Sequence, residues 1–354
     1  MNSLPHSNRA LPPTGLTPRV TVIMPIRNEE AHIADTLGQV LDQTTGELGV
    51  EILVVDGRSD DRTREVVSEI ARQHPRVRLL DNPGRLSSSA RNVGIREARG
   101  EFLVVIDGHC EIRNRRYLVD LVEAFERTGA DCLGRPQPQD ISDASLLQSA
   151  IAAARTSVFG HHPDSWIYAD QELPVPALSV GVAYRRAVFD QVGEFDPCFD
   201  ACEDCELNYR IDEAGLSCYL IPQLAVHYRP RNTLRGLFRQ LARYGRGRIR
   251  LARKHPQTLS LKSVLPALLL SGIAGGPLVC WLIPQLWYVY WGTLAVYAGL
   301  LLAFSLAAAL ASGRPATLIW LPLVFVAIHL GSGWGVLREL VSFRSPARQK
   351  AAVA

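Results

Sequence analysis

Between Ser263 and Gly313 the chain has no charged side chain at all. About 20 apolar residues cross a bilayer, so this stretch is too long for one span, and its Pro and Gly breaks imply more than one membrane segment. Acidic residues are missing from the preceding stretch, Thr233 to His255, which carries Arg235, Arg239, Arg243, Arg246, Arg248, Arg250, Arg253 and Lys254. The N-terminal residues Met1 to Pro18 lack an apolar core of signal-peptide length. They read as a polar, proline-rich tail that leaves the N-terminal part in the cytoplasm. Net charge is only +3, too close to balance to imply nucleic acid as a partner. Seven cysteines, an odd number at uneven spacing, exclude a secreted disulfide framework and read as cytosolic thiols. Nor is there a Gly-X-Gly-X-X-Gly turn after the first strand, where Pro25-Ile26-Arg27-Asn28-Glu29 stands instead. That excludes a dinucleotide-dependent oxidoreductase.

What is present, from Arg19 to about Leu133, is an alternation of short apolar runs and amphipathic stretches. Val20 to Met24 is a β-branched run ended by Pro25; Glu51 to Val55 is a second, ending at Asp56-Gly57; Phe102 to Ile106 is another, ending at Asp107. A shorter strand is expected at Val77 to Leu80, with helical patterns between these runs. Such βα units imply an α/β fold, a mainly parallel sheet covered by helices on both faces. Ligands of such sheets sit beyond the carboxyl ends of the strands, where Asp56 and Asp107 fall. Ala177 to Val226 reads as a second, mixed segment that includes strand-like Leu178 to Tyr184 and Leu224-Ala225-Val226.

The basic stretch has a helical stripe at Leu234, Leu237, Phe238 and Leu241, suited to an anionic membrane surface, although Gly236, Gly245 and Gly247 weaken it. Membrane candidates are Val264 to Ile283, Leu286 to Ala311 and Thr317 to Leu337. The positive-inside rule keeps the arginines before the first span cytoplasmic. Three spans would export a C-terminus carrying Arg338, Arg344, Arg348 and Lys350. A re-entrant first segment, broken at Gly275-Gly276-Pro277, is one way out. The organisation expected is a tail over 1–18, a catalytic domain over 19–232 and a basic interfacial region over 233–262. Membrane segments over 263–338 and a basic tail over 339–354 follow.

Asp107-Gly108-His109 could direct a carboxylate and an imidazole at one divalent cation, Mg²⁺ or Mn²⁺. It could equally be a strand-end turn. Glu203-Asp204 offers a general base, or simply an acidic helix start stabilised by the helix dipole. Cys198, Cys202 and Cys205 have a spacing that can hold an iron–sulfur cluster, but the run straddles Glu203-Asp204 with no strand leading into it. Free thiols are the better reading. His227 is either a third metal ligand or a core histidine.

The ordered set narrows these alternatives. Pro25-Ile26-Arg27-Asn28-Glu29-Glu30, Val55-Asp56-Gly57-Arg58-Ser59-Asp60-Asp61-Arg62-Thr63 and Ser89-Ala90-Arg91-Asn92-Val93-Gly94 lead to Asp107. Val192-Gly193-Glu194-Phe195-Asp196, Glu203-Asp204 and Gln240-Leu241-Ala242-Arg243-Tyr244 follow. In that order they resemble the inverting family 2 glycosyltransferases of the GT-A fold, most like bacterial succinoglycan-type exopolysaccharide glucosyltransferases. The resemblance implies that Pro25, Asn28 and Glu29 shape a uridine pocket, with Asp56 bonding the base and Arg91 near the diphosphate. Asp107 would contact ribose or metal, and His109 replaces the second aspartate of the usual Asp-X-Asp motif. Asp204 would be the base, supported by Glu203. Gln240, Arg243 and Tyr244 match a Gln-X-X-Arg-Trp motif with Tyr for Trp.

The implied partners are a nucleotide-sugar donor such as a UDP-hexose, a polyprenyl-linked saccharide acceptor and the lipid bilayer, with oligomerisation left open. The implied location is a bacterial inner membrane, multi-pass, with catalysis on the cytoplasmic side. Rival readings are a processive polysaccharide synthase subunit and an inactive membrane scaffold or transport component.

Overall fold

Val20 to Ile26 forms the central strand β1, buried almost throughout because its β-branched residues face helices on both sides. The computed structural model describes residues 17–161 and 165–342. Most of the tail expected over 1–18 and the basic tail beyond 342 therefore lie outside the described residues. From β1 the chain runs through α1 (Ile33–Leu41), β2 (Val50–Asp56), α2 (Thr63–Gln73), β3 (Val77–Asp81), α3 (Ser87–Glu97) and β4 (Phe102–Val105). It continues through α4 (Tyr117–Thr128), β5 (Cys132–Gly134), α5 (Leu146–Thr156), β6 (Leu173–Pro174), β7 (Gly181–Arg185), α6 (Arg186–Val192), α7 (Glu203–Glu213) and β8 (Cys218–Leu220). Four long helices close it: α8 (Leu234–Lys254), α9 (Leu261–Leu282), α10 (Trp287–Ala311) and α11 (Leu321–Val341).

The strands form one sheet in the order β3-β2-β1-β4-β7-β5-β8-β6. β1, β2, β3 and β4 pair in parallel, whereas β7 lies antiparallel between β4 and β5. The period-2 alternation splits the core in two. Val20, Val22, Met24 and Ile26 pack on one face with α1 and α4, while Ile23, Leu53 and Val55 pack on the other with α3 and α7. Because the chain leaves β1 towards β2 and returns to its other side as β4, a crevice opens beyond their carboxyl ends.

Two strand expectations need correction. Ala177–Ser179 is a 3₁₀ turn, and the strand begins only at Gly181, because Val180 packs over Gly134 where the β5–β7 register shifts. Pro222–Leu224 is also a 3₁₀ turn, begun by a proline that cannot donate to a ladder, and His227 makes only an isolated bridge to Glu111.

Both glycine-rich helices are continuous. In α8, a Cβ on Gly245 would strike the Ser332 carbonyl of α11, and one on Gly335 of α11 would strike the Ala242 carbonyl of α8. Of the glycines that weaken the helical pattern of α8, Gly245 therefore lies on the seam where the two backbones meet, together with Gly331 and Gly335 of α11, while Gly247 lets α8 close on Ala201 and Cys202. α9 likewise runs unbroken through Pro266 and Pro277. Pro277 leaves the Ile273 carbonyl, four residues back, without its helical donor, and the Tyr290 hydroxyl of α10 donates to that carbonyl at 3.3 Å.

α9, α10 and α11 are each long and apolar enough to cross a membrane. They differ in what covers them: 44% of the apolar stretch of α11 is buried, against 11% in the first helix and 17% in the second. At its start, Arg314 donates to the Ser149 hydroxyl at 2.8 Å, and Leu321 and Phe325 pack on Ala150 and Ile151 of α5. At its end, buried Glu339 accepts from Arg250 at 3.0 Å and lies 3.4 Å from Arg253, both on α8. Both ends of α11 are thus fastened to the sheet domain and its basic helix.

Candidate active site

The β1–β4 crevice widens into a cleft of about 670 Å³ that runs from Pro25 past Asp107 and Glu203 to Tyr244. Its floor comes from β4. Val105 and Ile106 are buried, and the backbone then delivers Asp107 and His109 to the cleft on either side of Gly108. A Cβ at Gly108 would sit 2.9 Å from Ile26 and 3.3 Å from Glu29, so glycine lets this turn close on the end of β1. Tyr228 donates to Asp107 Oδ2 at 2.7 Å. Burial works to raise the Asp107 pKa, but Arg91, His109, Tyr228 and Arg135 outweigh it and hold the carboxyl below its ordinary range. His109 Nδ1 lies 2.8 Å from Glu29 Oε1, a contact that pushes the imidazole pKa up.

Arg91 comes from α3 and is buried, with Nη2 3.6 Å from Glu203 and its guanidinium over the Phe195 ring at 5.1 Å. Burial opposes its charge, yet Glu203, Asp204 and Asp107 keep it protonated. Arg135, just beyond β5, is 2% exposed and donates to the Tyr117 hydroxyl at 2.8 Å. Among the described residues, the Nε–H groups of both arginines are buried without a hydrogen-bond partner. Both side chains line the cleft, where two guanidinium charges favour an anionic ligand.

Glu203 and Asp204 occupy the first turn of α7, behind Cys202 in a left-handed conformation at φ +60°. Non-glycine residues adopt that region at some cost, and here it turns both carboxylates into the cleft. Asp204 Oδ1 accepts the Cys205 N–H at 2.8 Å. From α8, Gln240, Arg243 and Tyr244 share one helical face at i, i+3 and i+4 and line the far wall. Gln240 Nε2 donates to the Tyr244 hydroxyl at 3.2 Å, Arg243 Nε donates to the Asp200 carbonyl at 2.7 Å, and Arg155 lies over the Tyr244 ring.

The structure brings together Pro25, Glu29, Arg91, Asp107, His109, Glu203, Asp204, Gln240, Arg243 and Tyr244. It does not bring Asn28, Asp56 or His227 to the cleft wall. Asn28 sits at φ +56°, with its N–H on the Ser59 hydroxyl at 2.9 Å and its side chain accepting the Asp60 N–H at 3.0 Å. Asp56 is fully buried and committed to Ser59 at 2.6 Å and Arg64 at 3.1 Å. Asn28 thus fastens the loop after β1 to the loop after β2, while Asp56 braces the β2 loop against α2. His227 pairs through its backbone with Glu111, and burial followed by Arg113 pushes its imidazole pKa down; the half-buried ring lies outside the cleft wall. Cys202 and Cys205 are free thiols. The Cys205 pKa is pushed well up by its hydrogen bond to Cys202 and by burial.

Arg135, Arg155 and Tyr228 are absent from the sequence reading. Arg135 and Tyr228 follow or sit in short elements with no periodic signal, and the pairing of β5 and the bridge at Tyr228 place them. Arg155, by contrast, stands in the last turn of the regular helix α5, whose Ser145–Gln148 capping box is a signal the sequence does carry.

Among the described residues, no group of three or more His, Cys, Asp and Glu converges on a metal position. Asp107 and His109 nevertheless line one cleft, and no hydrogen bond from the described residues engages Asp107 Oδ1 or His109 Nε2. That donor set fits a cation held jointly with a ligand's oxygens rather than one caged by protein alone.

Comparison with known proteins agrees. Residues 21–176 match the family model described as glycosyl transferase family 2, and residues 140–331 match glycosyl transferase family group 2. The succinoglycan biosynthesis protein ExoA of Rhizobium meliloti is 32% identical over 335 residues, 91% of this chain and 95% of that protein. The dolichyl N-acetyl-alpha-D-glucosaminyl phosphate 3-beta-D-2,3-diacetamido-2,3-dideoxy-beta-D-glucuronosyltransferase of Methanococcus voltae is 24% identical, covering 66% of this chain and 74% of its own. Among solved structures, the mannosyltransferase PcManGT from Pyrobaculum calidifontis, in complex with GDP-Man and Mn²⁺, superposes with a TM-score of 0.58 at 20% identity. That match covers 95% of this chain and 91% of PcManGT, and at this identity it speaks to the fold alone.

Proposed function

The chain belongs to glycosyl transferase family 2 and has a GT-A fold with three apolar C-terminal helices, and from that premise we propose an inverting hexosyltransferase. It moves one sugar from a nucleotide-diphosphate donor, a UDP-hexose, to a lipid-linked saccharide at the cytoplasmic membrane face during exopolysaccharide synthesis. The observation that carries this reading is that the Arg91 and Arg135 side chains line the same cleft as Asp107 and Asp204.

The acceptor hydroxyl loses its proton to Asp204 as its oxygen attacks the anomeric carbon. The bond from that carbon to the diphosphate breaks, and its electron pair leaves with the diphosphate. Arg91 and Arg135 stabilise the charge that gathers there. Glu203, 3.6 Å from Arg91, keeps that guanidinium aimed. Asp107 and His109 would hold Mg²⁺ or Mn²⁺, which would supply further neutralisation of the diphosphate. A single displacement turns an α-linked donor into a β-linked product.

Catalysis is assigned to 19–232 and membrane apposition to 233–338. α9 leads away from the domain and α10 returns, with large apolar residues such as Trp281, Tyr288 and Trp291 exposed along them. α11 is fastened to the domain at both ends, so only the hairpin enters the bilayer and the end of α11 at Glu339 stays on the catalytic side. This removes the parity conflict of three crossings. The relative named for succinoglycan biosynthesis supports the assignment to exopolysaccharide synthesis.

The test is the anomeric configuration of the product, read by NMR after transfer from an α-linked UDP-hexose. Retention of configuration would sink the role of Asp204 as a base in one displacement.

A further inference from the structure

Arg243 stands between two cavities. On one side it lines the catalytic cleft. On the other it lines a cavity of about 300 Å³ in the groove between α8 and α11, with Arg239, Arg246 and Arg338. Asp200, whose carbonyl accepts the Arg243 Nε–H at 2.7 Å, lines both. Four arginines and one acidic residue, Asp200, therefore line this cavity, and Arg250 of α8 also binds the Asp200 carboxylate. Arg246 reaches Asp200 and Glu339 only at 3.5 Å each. Arg239 and Arg338 make no side-chain hydrogen bond or ion pair among the described residues.

An unbalanced set of guanidiniums around a cavity is matched by an oxyanion able to accept several N–H bonds at once. The cavity has less than half the volume of the main cleft, so it suits a phosphate or diphosphate group better than a nucleotide. Trp334, 50% exposed, forms part of its wall on α11. Half-exposed tryptophan beside arginine is the usual arrangement at a membrane–water boundary. The hairpin of α9 and α10 places that boundary nearby.

We propose that this cavity seats the phosphate or diphosphate that joins the lipid to the acceptor saccharide. The sugar end then reaches past Arg243 to Asp204. The inference rests on the reading of the chain as a transferase with a lipid-linked acceptor, and it assigns that acceptor's anionic group to Arg239, Arg243, Arg246 and Arg338. A free phosphate has the same chemistry, but the position beside Trp334 and the lipid-facing hairpin favours the lipid.

The experiment uses the full chain in detergent micelles, titrated separately with polyprenyl diphosphate, phosphatidylglycerol and inorganic diphosphate. Wild type is compared with the double variant Arg239→Gln, Arg338→Gln, and binding of a nucleotide sugar serves as the control for folding. Polyprenyl diphosphate should bind wild type at least about tenfold more tightly than either other probe, and the double variant should lose roughly tenfold or more of that affinity. Nucleotide-sugar binding should stay unchanged. Arg239→Lys with Arg338→Lys should restore part of the loss, because charge returns without the guanidinium fork. Equal affinity in wild type and double variant overturns the proposal. So does phosphatidylglycerol or inorganic diphosphate binding as tightly as the polyprenyl lipid. Failure of wild type to bind any nucleotide sugar would instead overturn the transferase reading on which the proposal stands.

Discussion

Replacing Tyr228 by Phe removes one hydroxyl from the cleft and leaves the ring in place. That hydroxyl donates to Asp107 Oδ2 at 2.7 Å. A hydrogen bond to an ionised group is worth about 1.5–3 kcal/mol. Arg91 and Arg135 still face the carboxylate in the variant, so part of its stabilisation remains. The net loss expected in metal-dependent donor affinity is about 1–2 kcal/mol, or roughly five- to thirtyfold. The pH dependence gives a second readout. Burial raises the Asp107 pKa while Arg91, His109, Tyr228 and Arg135 hold it down, so losing Tyr228 lets it rise. The protonated acid holds a cation poorly, so the acid limb of donor binding should move to higher pH in Tyr228→Phe. Calorimetric titration of a nucleotide sugar with Mn²⁺, stepped from neutral pH into the carboxylate range, measures both effects. Unchanged affinity with an unchanged acid limb would refute the claim that Asp107 binds as a carboxylate held by Tyr228.

Three further outcomes follow from named contacts. Asp204→Asn should lower transfer by about 10²- to 10⁴-fold while nucleotide-sugar binding persists; loss of binding would make Asp204 a donor-site residue. Glu206 is fully buried among Arg210 at 2.8 Å, Lys254 at 2.8 Å and His255 at 3.0 Å. Burial raises its pKa, but Arg210, Lys254 and His255 pull it below the ordinary value, so its stabilisation is present above the unfolded pKa and is lost as pH falls through the folded one. Glu206→Gln should cost about 1–3 kcal/mol at neutral pH, after screening at Lys254, and flatten the acid side of the thermal-stability profile. Gly335→Ala should cost about 1–3 kcal/mol in unfolding, because the new methyl meets the Ala242 carbonyl; an unchanged transition would mean that α11 does not pack on α8.

The strand ends were legible in the sequence because a β-branched run followed by Asp-Gly leaves little choice of where a parallel strand stops. Asp107 and its crevice came from that pattern alone. Glu203-Asp204 and Gln240 to Tyr244 gain meaning only with their order along the chain, and the fold then brings them side by side on one cleft, with Cys202 against the Tyr244 carbonyl. Arg135 was invisible because the strand before it is three residues long, and Tyr228 because it belongs to an isolated bridge. Asp56 and Asn28 sit at strand ends as expected, yet their polar atoms are spent on Ser59, Asp60 and Arg64. Hydropathy reports that α11 is apolar, and the glycine seam with α8 and the Glu339 ion pairs, which hydropathy does not register, add that part of its surface packs on protein.

The central claim is that the Asp107 cleft binds a nucleotide-diphosphate sugar together with a divalent cation. Equilibrium binding of a panel of nucleotide sugars to the purified full chain, with Mn²⁺ and then with excess chelator, measures it directly. The account predicts that at least one sugar nucleotide binds, that chelator weakens it severely, and that Asp107→Ala removes the dependence on metal. Binding that is indifferent to both chelator and Asp107→Ala would contradict it.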